Sequence, residues 1–416
     1  MMMRQFFKYS LLVCVFVGML SHVQAQDIGV ADAKHKPCKH LLSLSHDNQQ
    51  VVNSIADTLA LNTFSIADSL RLNVDSLRQL DSTTIRMALL LPLHADAVKR
   101  EKNMERFYDF YAGSLIAIYE QQAKGQRLEI FTYDIGKTTP RMNEVLQQYP
   151  IIHQLDVIIG PAYSQQVDIV LDSLCHDSVW VMIPFLSRVK NLTNNPFVMK
   201  FNPSEQIEAD TIARYLAQRK DSVNCVLLET KPGEVIPSGI AALHQAIEQY
   251  QVPTSMISLK AILSDSIEGV FMPDKENIVI FNTERYANLQ TVMPHLLKAC
   301  GEYRITLFSH YSWQTEKIIL PQLYTSVFTT DPVVPAGYEQ LFEQYFDHTL
   351  SSYQPRYDLL GYDLTNYVIT MIGKLKKNKA TTITSEVWTG IQADIFFQPA
   401  TRMSGYENNV VHIIHQ

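Results

Sequence analysis

The sequence predicts an α/β protein with two doubly wound parallel sheets in succession, preceded by an export signal and a spacer. Three observations carry this. Short continuous apolar runs, such as 87–93 (MALLLPL), suit parallel strands covered on both faces. From Arg86 onward these runs alternate with helix-period segments, the rhythm of a parallel sheet with crossover helices. After residues 197–201 the rhythm begins again, which suggests two similar lobes rather than one large sheet.

The chain has 416 residues, 46% hydrophobic and 19% charged, ordinary values for a globular protein with room for two domains. A net charge of −7 gives no basic footprint for nucleic acid or an acidic membrane surface. Residues 1–25 read as a secretory signal. Arg4 and Lys8 form its basic start, and 11–20 (LLVCVFVGML) is apolar but too short to span a membrane. Val23 and Ala25 are the small residues that precede a cleavage site. Cleavage after Ala25 takes the net charge from −7 to −9, because two cations and no acid leave. Cys14, behind Val13, is poorly placed for lipid attachment. No later stretch reaches about 18 consecutive apolar residues. The mature chain is therefore expected in the periplasm or outside the cell, meeting the membrane only in transit.

Export permits disulfides among Cys38, Cys175, Cys225 and Cys300. Cys225, in the apolar run 223–228, reads as a buried thiol. With no Cys-x-x-Cys and no Cys/His cluster, no metal or other cofactor is expected.

Residues 26–84 are rich in Ser, Asp, Asn and Leu, with one Gly and one Pro. An imperfect repeat, IADTLALN at 55–62 and IADSLRLN at 66–73, is too short for a solenoid. This segment reads as a spacer, disordered or a helical stalk, holding a globular part away from something.

The first βα series has a strand at 87–93, a helix at 104–122 ended by Gly125, a strand at 128–133 and a helix near 141–148. The strand 157–159 follows, then a Gly160-Pro161 turn and a helix with Ser164 as its expected N-cap. Val167, Val170, Leu171 and Leu174 mark that helix's apolar face. A strand at 179–183 closes the series. The second opens with Asn202-Pro203-Ser204-Glu205, a cap residue followed by Pro and Glu at first-turn positions. Then come strand 224–229, helix 240–250, strand 277–281, helix 283–297 and strand 305–308. Helices at 338–348 and 360–375 and strands at 394–397 and 409–414 are expected in the tail.

No signature of a nucleophile elbow, P-loop, dinucleotide turn or zincin is present, so a non-enzymatic role is expected. What recurs is a strand end followed by a hydroxyl residue. Ser164 and Ser187 follow two such strands, and Ser204 stands where the second series begins. Hydroxyls and helix-start N–H groups converging on one crevice suit a carboxylate-bearing ligand.

From Arg86 to the C-terminus the chain resembles the type 1 periplasmic binding proteins, in the leucine/isoleucine/valine-binding branch. The matching pieces are Phe110 and Gly113 in the first helix, Val157-Ile158-Ile159-Gly160-Pro161 with Ser164, and Phe201-Asn202-Pro203-Ser204 with Gln206. Gly361-Tyr362-Asp363 opening a helix and Gly405-Tyr406 with Asn408 complete the set. The resemblance implies two lobes joined by a three-stranded hinge that closes on a ligand. The lobes would be 85–202 with 309–386, and 203–308 with 387–416. It also places Ser164, Gln165 and Ser187 where the amino-acid binders hold the α-carboxylate, with Tyr163, Phe185 and Ser204 alongside. Glu284 and Tyr286 are the nearest candidates for the ammonium group. Phe185 and Leu186 replace the small residues of the family and are expected to crowd the cleft.

The implied function is a receptor for a small, amino-acid-like ligand. The alternative is an envelope interaction module whose partner is an envelope protein or peptidoglycan. Relatives of this kind occur behind LysM modules, and a related fold regulates cell-wall synthases.

Overall fold

The computed structural model describes residues 83–95, 104–190, 192, 195–231, 233–267, 269–313, 316–346, 350, 355–383, 386–401 and 404–416. The expected signal peptide, and all but the end of the spacer, lie outside these residues.

The first series comprises β1 (Ile85–Leu91), α1 (Glu105–Ala123), β2 (Leu128–Asp134), α2 (Thr139–Gln148), β3 (Val157–Ile159), α3 (Ser164–Ser173), β4 (Trp180–Ile183) and β5 (Val198–Lys200). The second comprises α4 (Glu205–Gln218), β6 (Val223–Glu229), α5 (Ser238–Gln249), β7 (Thr254–Ser258), α6 (Leu259–Leu263), β8 (Glu276–Phe281), α7 (Tyr286–Ala299), β9 (Arg304–Phe308) and β10 (Gln322–Ser326). The tail adds α8 (Tyr338–Tyr345), α9 (Tyr357–Asn378), β11 (Trp388–Thr389), β12 (Asp394–Ile395), β13 (Phe397–Pro399), β14 (Tyr406–Asn408) and β15 (His412–His415).

Two large sheets result, ordered β13-β14-β5-β4-β3-β1-β2 and β15-β10-β9-β8-β6-β7, beside a small β11–β12 ribbon. Their pairings are parallel except at the β13–β14 and β10–β15 edges. The apolar run of β1 is covered on both faces, as its composition requires. Met87, Leu89 and Leu91 pack with α1 and α9, while Ala88 and Leu90 pack with α2 and α3. Helices α1 and α9 nearly touch backbone to backbone. A Cβ on Gly113 would lie 1.8 Å from the Asp358 carbonyl oxygen, and one on Gly361 2.0 Å from that of Phe110. Cys225 is buried in the second sheet, and burial pushes its thiol up to about 12.

Several sequence expectations shift. Ser164 is the first residue of α3 and Tyr163 its N-cap, while Ser204, not Asn202, caps α4; neither cap uses a side-chain bond. Phe201–Pro203 stays outside the helix as a crossover, and the Asn202 amide donates back to the Pro184 carbonyl (3.5 Å). Gly361-Tyr362-Asp363 lies inside α9, which starts at Tyr357. The expected lobe limits also differ from the sheets. β10 belongs to the second sheet, and β13 and β14 belong to the first, leaving only β15 of the last 30 residues in the second. Long-range contacts decide this. Glu407 of β14 pairs with Lys200 of β5 in register, with a buried ion pair of 2.8 Å, and Tyr406 packs on Trp180. The crossovers accordingly follow β5, β10 and β14.

Candidate ligand-binding cleft

Parallel strands send all their carboxyl ends to one edge, where the chain turns into helices and leaves N–H groups unpaired. In the first sheet that edge carries the starts of α1, α3 and α9. Phe107, Phe110, Tyr163, Phe185 and Tyr357 form an aromatic cluster there, with Met104 packed beside Tyr163. Phe185 lies 5.2 Å from Phe107, 4.9 Å from Phe110 and 6.3 Å from Tyr357, and Tyr163 lies 6.0 Å from Phe107 (ring centroids). Arg106, in the first turn of α1, stacks its guanidinium over Phe107 at 4.7 Å and bonds to the Tyr357 phenol.

The structure gathers five of the sequence-predicted residues at this edge. Ser164 and Gln165 are exposed in the first turn of α3, with Tyr163 half-buried before them. Ser187 is exposed after β4, and its carbonyl accepts from Lys200 Nζ at 2.7 Å. Phe185 is half-buried and Leu186 packs on the opposite core. Both pack against the first sheet's own cores, and α1 presents Phe107 and Phe110 to receive Phe185, which stays partly exposed at the edge. Gln166 fixes the turn: its amide donates to the carbonyls of Ile135, Gly136 and Thr138 (3.1, 3.1 and 3.2 Å).

Ser204 stands apart, at the first crossover. Glu284 is exposed beyond β8, where its backbone carbonyl accepts from Trp313 Nε1 (2.7 Å). Tyr286 packs against the second sheet's core. These two are near the second sheet's carboxyl edge but do not join the first group.

That second edge has its own polar set. Thr230, after β6, donates its N–H to Asn282 Oδ1 (3.0 Å) and its hydroxyl to Glu234 (2.6 Å), the hydroxyl oxygen lying 3.0 Å from the same Asn282 oxygen. Ser309 and His310 follow β9. β10 pairs with β9 at Leu307 and Phe308, and the Ser309 N–H still donates to the Leu323 carbonyl (2.8 Å) before the two strands part. The His310 ring lies edge-on to Trp313 at 4.5 Å. Burial pushes its imidazole down to about 4, against a hydrogen bond to the Phe281 backbone, so it is neutral at neutral pH. Tyr311, 79% exposed, is close enough to act electrostatically on Tyr357. Burial and this neighbouring phenol raise Tyr357, while Arg106 opposes them.

Arg106, Tyr357, Ser309 and His310 escaped the sequence reading. Arg106 had one signal: a cation in the first turn of a helix opposes the macrodipole, a local cost that marks a functional position. Among the described residues no group of three His, Cys, Asp or Glu side chains is arranged to hold a metal ion.

No protein-family profile and no curated protein sequence matches the chain. Among solved structures, a protein described as a branched-chain amino acid ABC transporter from Rhodospirillum rubrum superposes with TM-score 0.55 at 11% identity, over 80% of this chain and 96% of that one. The chain has the type 1 periplasmic binding fold. An ABC transporter substrate-binding protein from Desulfitobacterium hafniense, in complex with Leu, gives TM-score 0.49 at 16% identity over 80% and 97% of the two chains. The LpoA C-domain from Haemophilus influenzae, a regulator of PBP1A, gives 0.48 at 13% over 80% and 99%. At these identities the likeness is one of fold, and the type 1 fold hosts more than one function. No described helix of the chain is long and apolar enough to cross a membrane.

Proposed function

We propose that this chain is an extracytoplasmic, two-lobed receptor for a small carboxylate-bearing ligand, amino-acid-like in size, held between the carboxyl edges of its two sheets. The lobes are 85–200 with the tail through β14, and 205–326 with β15, turning about the three crossovers.

The observation that carries this reading is the first sheet's edge. Three helix starts, the exposed Ser164 and Gln165 and the guanidinium of Arg106 meet there beside half-buried aromatic rings. Helix starts and Arg106 favour an anion, and Tyr163, Phe185 and Tyr357 offer apolar cover for a ligand's body. A charge-assisted bond of the Arg106 kind contributes about 1.5–3 kcal/mol. Ser187 and Ser204 are secondary contacts in this reading, and Glu284 and Tyr286 face the ligand only on closure.

A thermal-shift screen of amino acids, small peptides and simple carboxylates tests the proposal. A ligand at about 100 times its Kd adds roughly 2.7 kcal/mol, a rise of about 5 °C for lobes of this size. At least one such hit is expected, weakened about 10- to 100-fold by Arg106→Gln. A flat response across the library overturns the receptor reading.

One observation favours the alternative of an envelope interaction module. Val235 (89% exposed) and Tyr311 (79% exposed) both follow strands of the second sheet at its carboxyl edge and are open to a partner. Recovery of an envelope protein or peptidoglycan by cross-linking through these positions, together with a flat screen, would establish that module instead.

A further inference from the structure

The hinge holds a cluster of charges that ligand recognition leaves unused. Lys200, at the end of β5 and 2% exposed, gives its ammonium to Glu407 of β14 (2.8 Å) and to the Ser187 carbonyl (2.7 Å). Glu208, in the first turn of α4, is half-buried beside the same crossover. It accepts from the Thr325 hydroxyl of β10, but at a long 3.5 Å. Lys200 is the cation that acts on it, and Lys200 is already engaged by Glu407. On its own helix Glu205 faces it with like charge while bound to Arg188, which also bonds Ser238 at the start of α5. Glu208 is thus a half-buried carboxylate at the pivot, whose hydrogen bond among the described residues is the long one from Thr325 and whose acting cation, Lys200, is shared with Glu407. Such a group is costly when ionised and cheap when protonated.

We propose that Glu208 is a proton-controlled latch on the hinge. Neutral, it lets the lobes pack over it; ionised, it draws water to the crossovers and favours the open form. The idea rests on the two sheets moving as lobes, and not on the identity of any ligand.

Burial and Glu205 push the Glu208 carboxyl up to about 7, against Thr325 and Lys200. The sign follows from linkage. A carboxyl raised in the packed state binds extra protons there between its ordinary value and about 7. Its contribution to packing is full at acid pH, below that ordinary value, and is lost as pH rises through about 7. Each unit of raised pKa that opening relieves is a tenfold change in the open-to-closed ratio.

Small-angle X-ray scattering on the mature chain, without ligand, reads this directly. The radius of gyration is expected to increase between about pH 5.5 and pH 8, with an open-to-closed ratio rising at least about tenfold. Glu208→Gln is expected to stay compact at both pH values. Thr325→Val removes the weak donor and moves the midpoint upward. Circular dichroism checks that each variant is folded. An unchanged radius in the wild type overturns the proposal, as does an equal change in Glu208→Gln. So does a change abolished by His412→Gln, which would assign the transition to the His412–Asp394 pair.

Discussion

Replacing Gly361 by alanine is expected to destabilise the first lobe by about 3 kcal/mol. The new Cβ would stand 2.0 Å from the Phe110 carbonyl oxygen, and the reciprocal Gly113 leaves 1.8 Å to the Asp358 carbonyl. Both obstacles are backbone, so no rotamer change relieves them and the helices must part. Parting α1 from α9 unpacks Phe110 and Leu364 from the core. It also separates Arg106 from Tyr357, so the site should weaken along with the fold. Gly373→Ala in the same helix is the control: its Cβ would meet only side-chain atoms at 3.8 and 4.0 Å. That change should be neutral or stabilising by up to about 1 kcal/mol. Urea unfolding of both variants checks the contrast. Equal midpoints would show that the helices do not depend on the glycine contact.

Asp363→Ala is expected to cost about 3–5 kcal/mol. Asp363 is fully buried, and its oxygens accept from the N–H groups of Ile391 (2.8 Å), Gln392 (2.8 Å) and Ala393 (3.0 Å). Burial pushes its carboxyl up to about 6, against the pull of those three donors. Removing it strands the donors away from water. The damage should reach the hinge, because the Gln392 carbonyl accepts from Thr329 N (2.8 Å) beside the second crossover. The Gln392 side chain also bonds both backbone groups of Arg356 at the start of α9. Asp363→Asn keeps one acceptor oxygen and should lose less. Thermal unfolding of the two variants tests the order, and a larger loss for the asparagine would contradict it.

The sequence revealed the strands that are buried on both faces. β1, β3 and β8 are short apolar runs because both faces are covered. β7 and β10 were missed for the opposite reason: only Ile257 is buried in the first and only Leu323 in the second, so neither carries a period. The tail was misassigned because short strands do not reveal their sheet. β14 joins the first sheet through Lys200–Glu407 and Trp180–Tyr406, contacts between residues about 200 positions apart in sequence.

At the site, Ser164 could be placed near the edge because a strand, a Gly-Pro turn and a helix follow one another directly. That Phe185 packs on Phe107 and Phe110 was not legible, because those receiving rings sit on another helix. Arg106 and Tyr357 meet only after α1 and α9 pack, which one-dimensional spacing does not show.

Hydrogen exchange with and without a hit from the screen tests the central claim most directly. Added protection is expected in four segments at the facing edges: 104–107, 162–165, 184–187 and 309–313. The three crossovers should slow together with them. Protection confined to one sheet or to the outer helices, or none at all with the ligand bound, would contradict a cleft that closes between the two lobes.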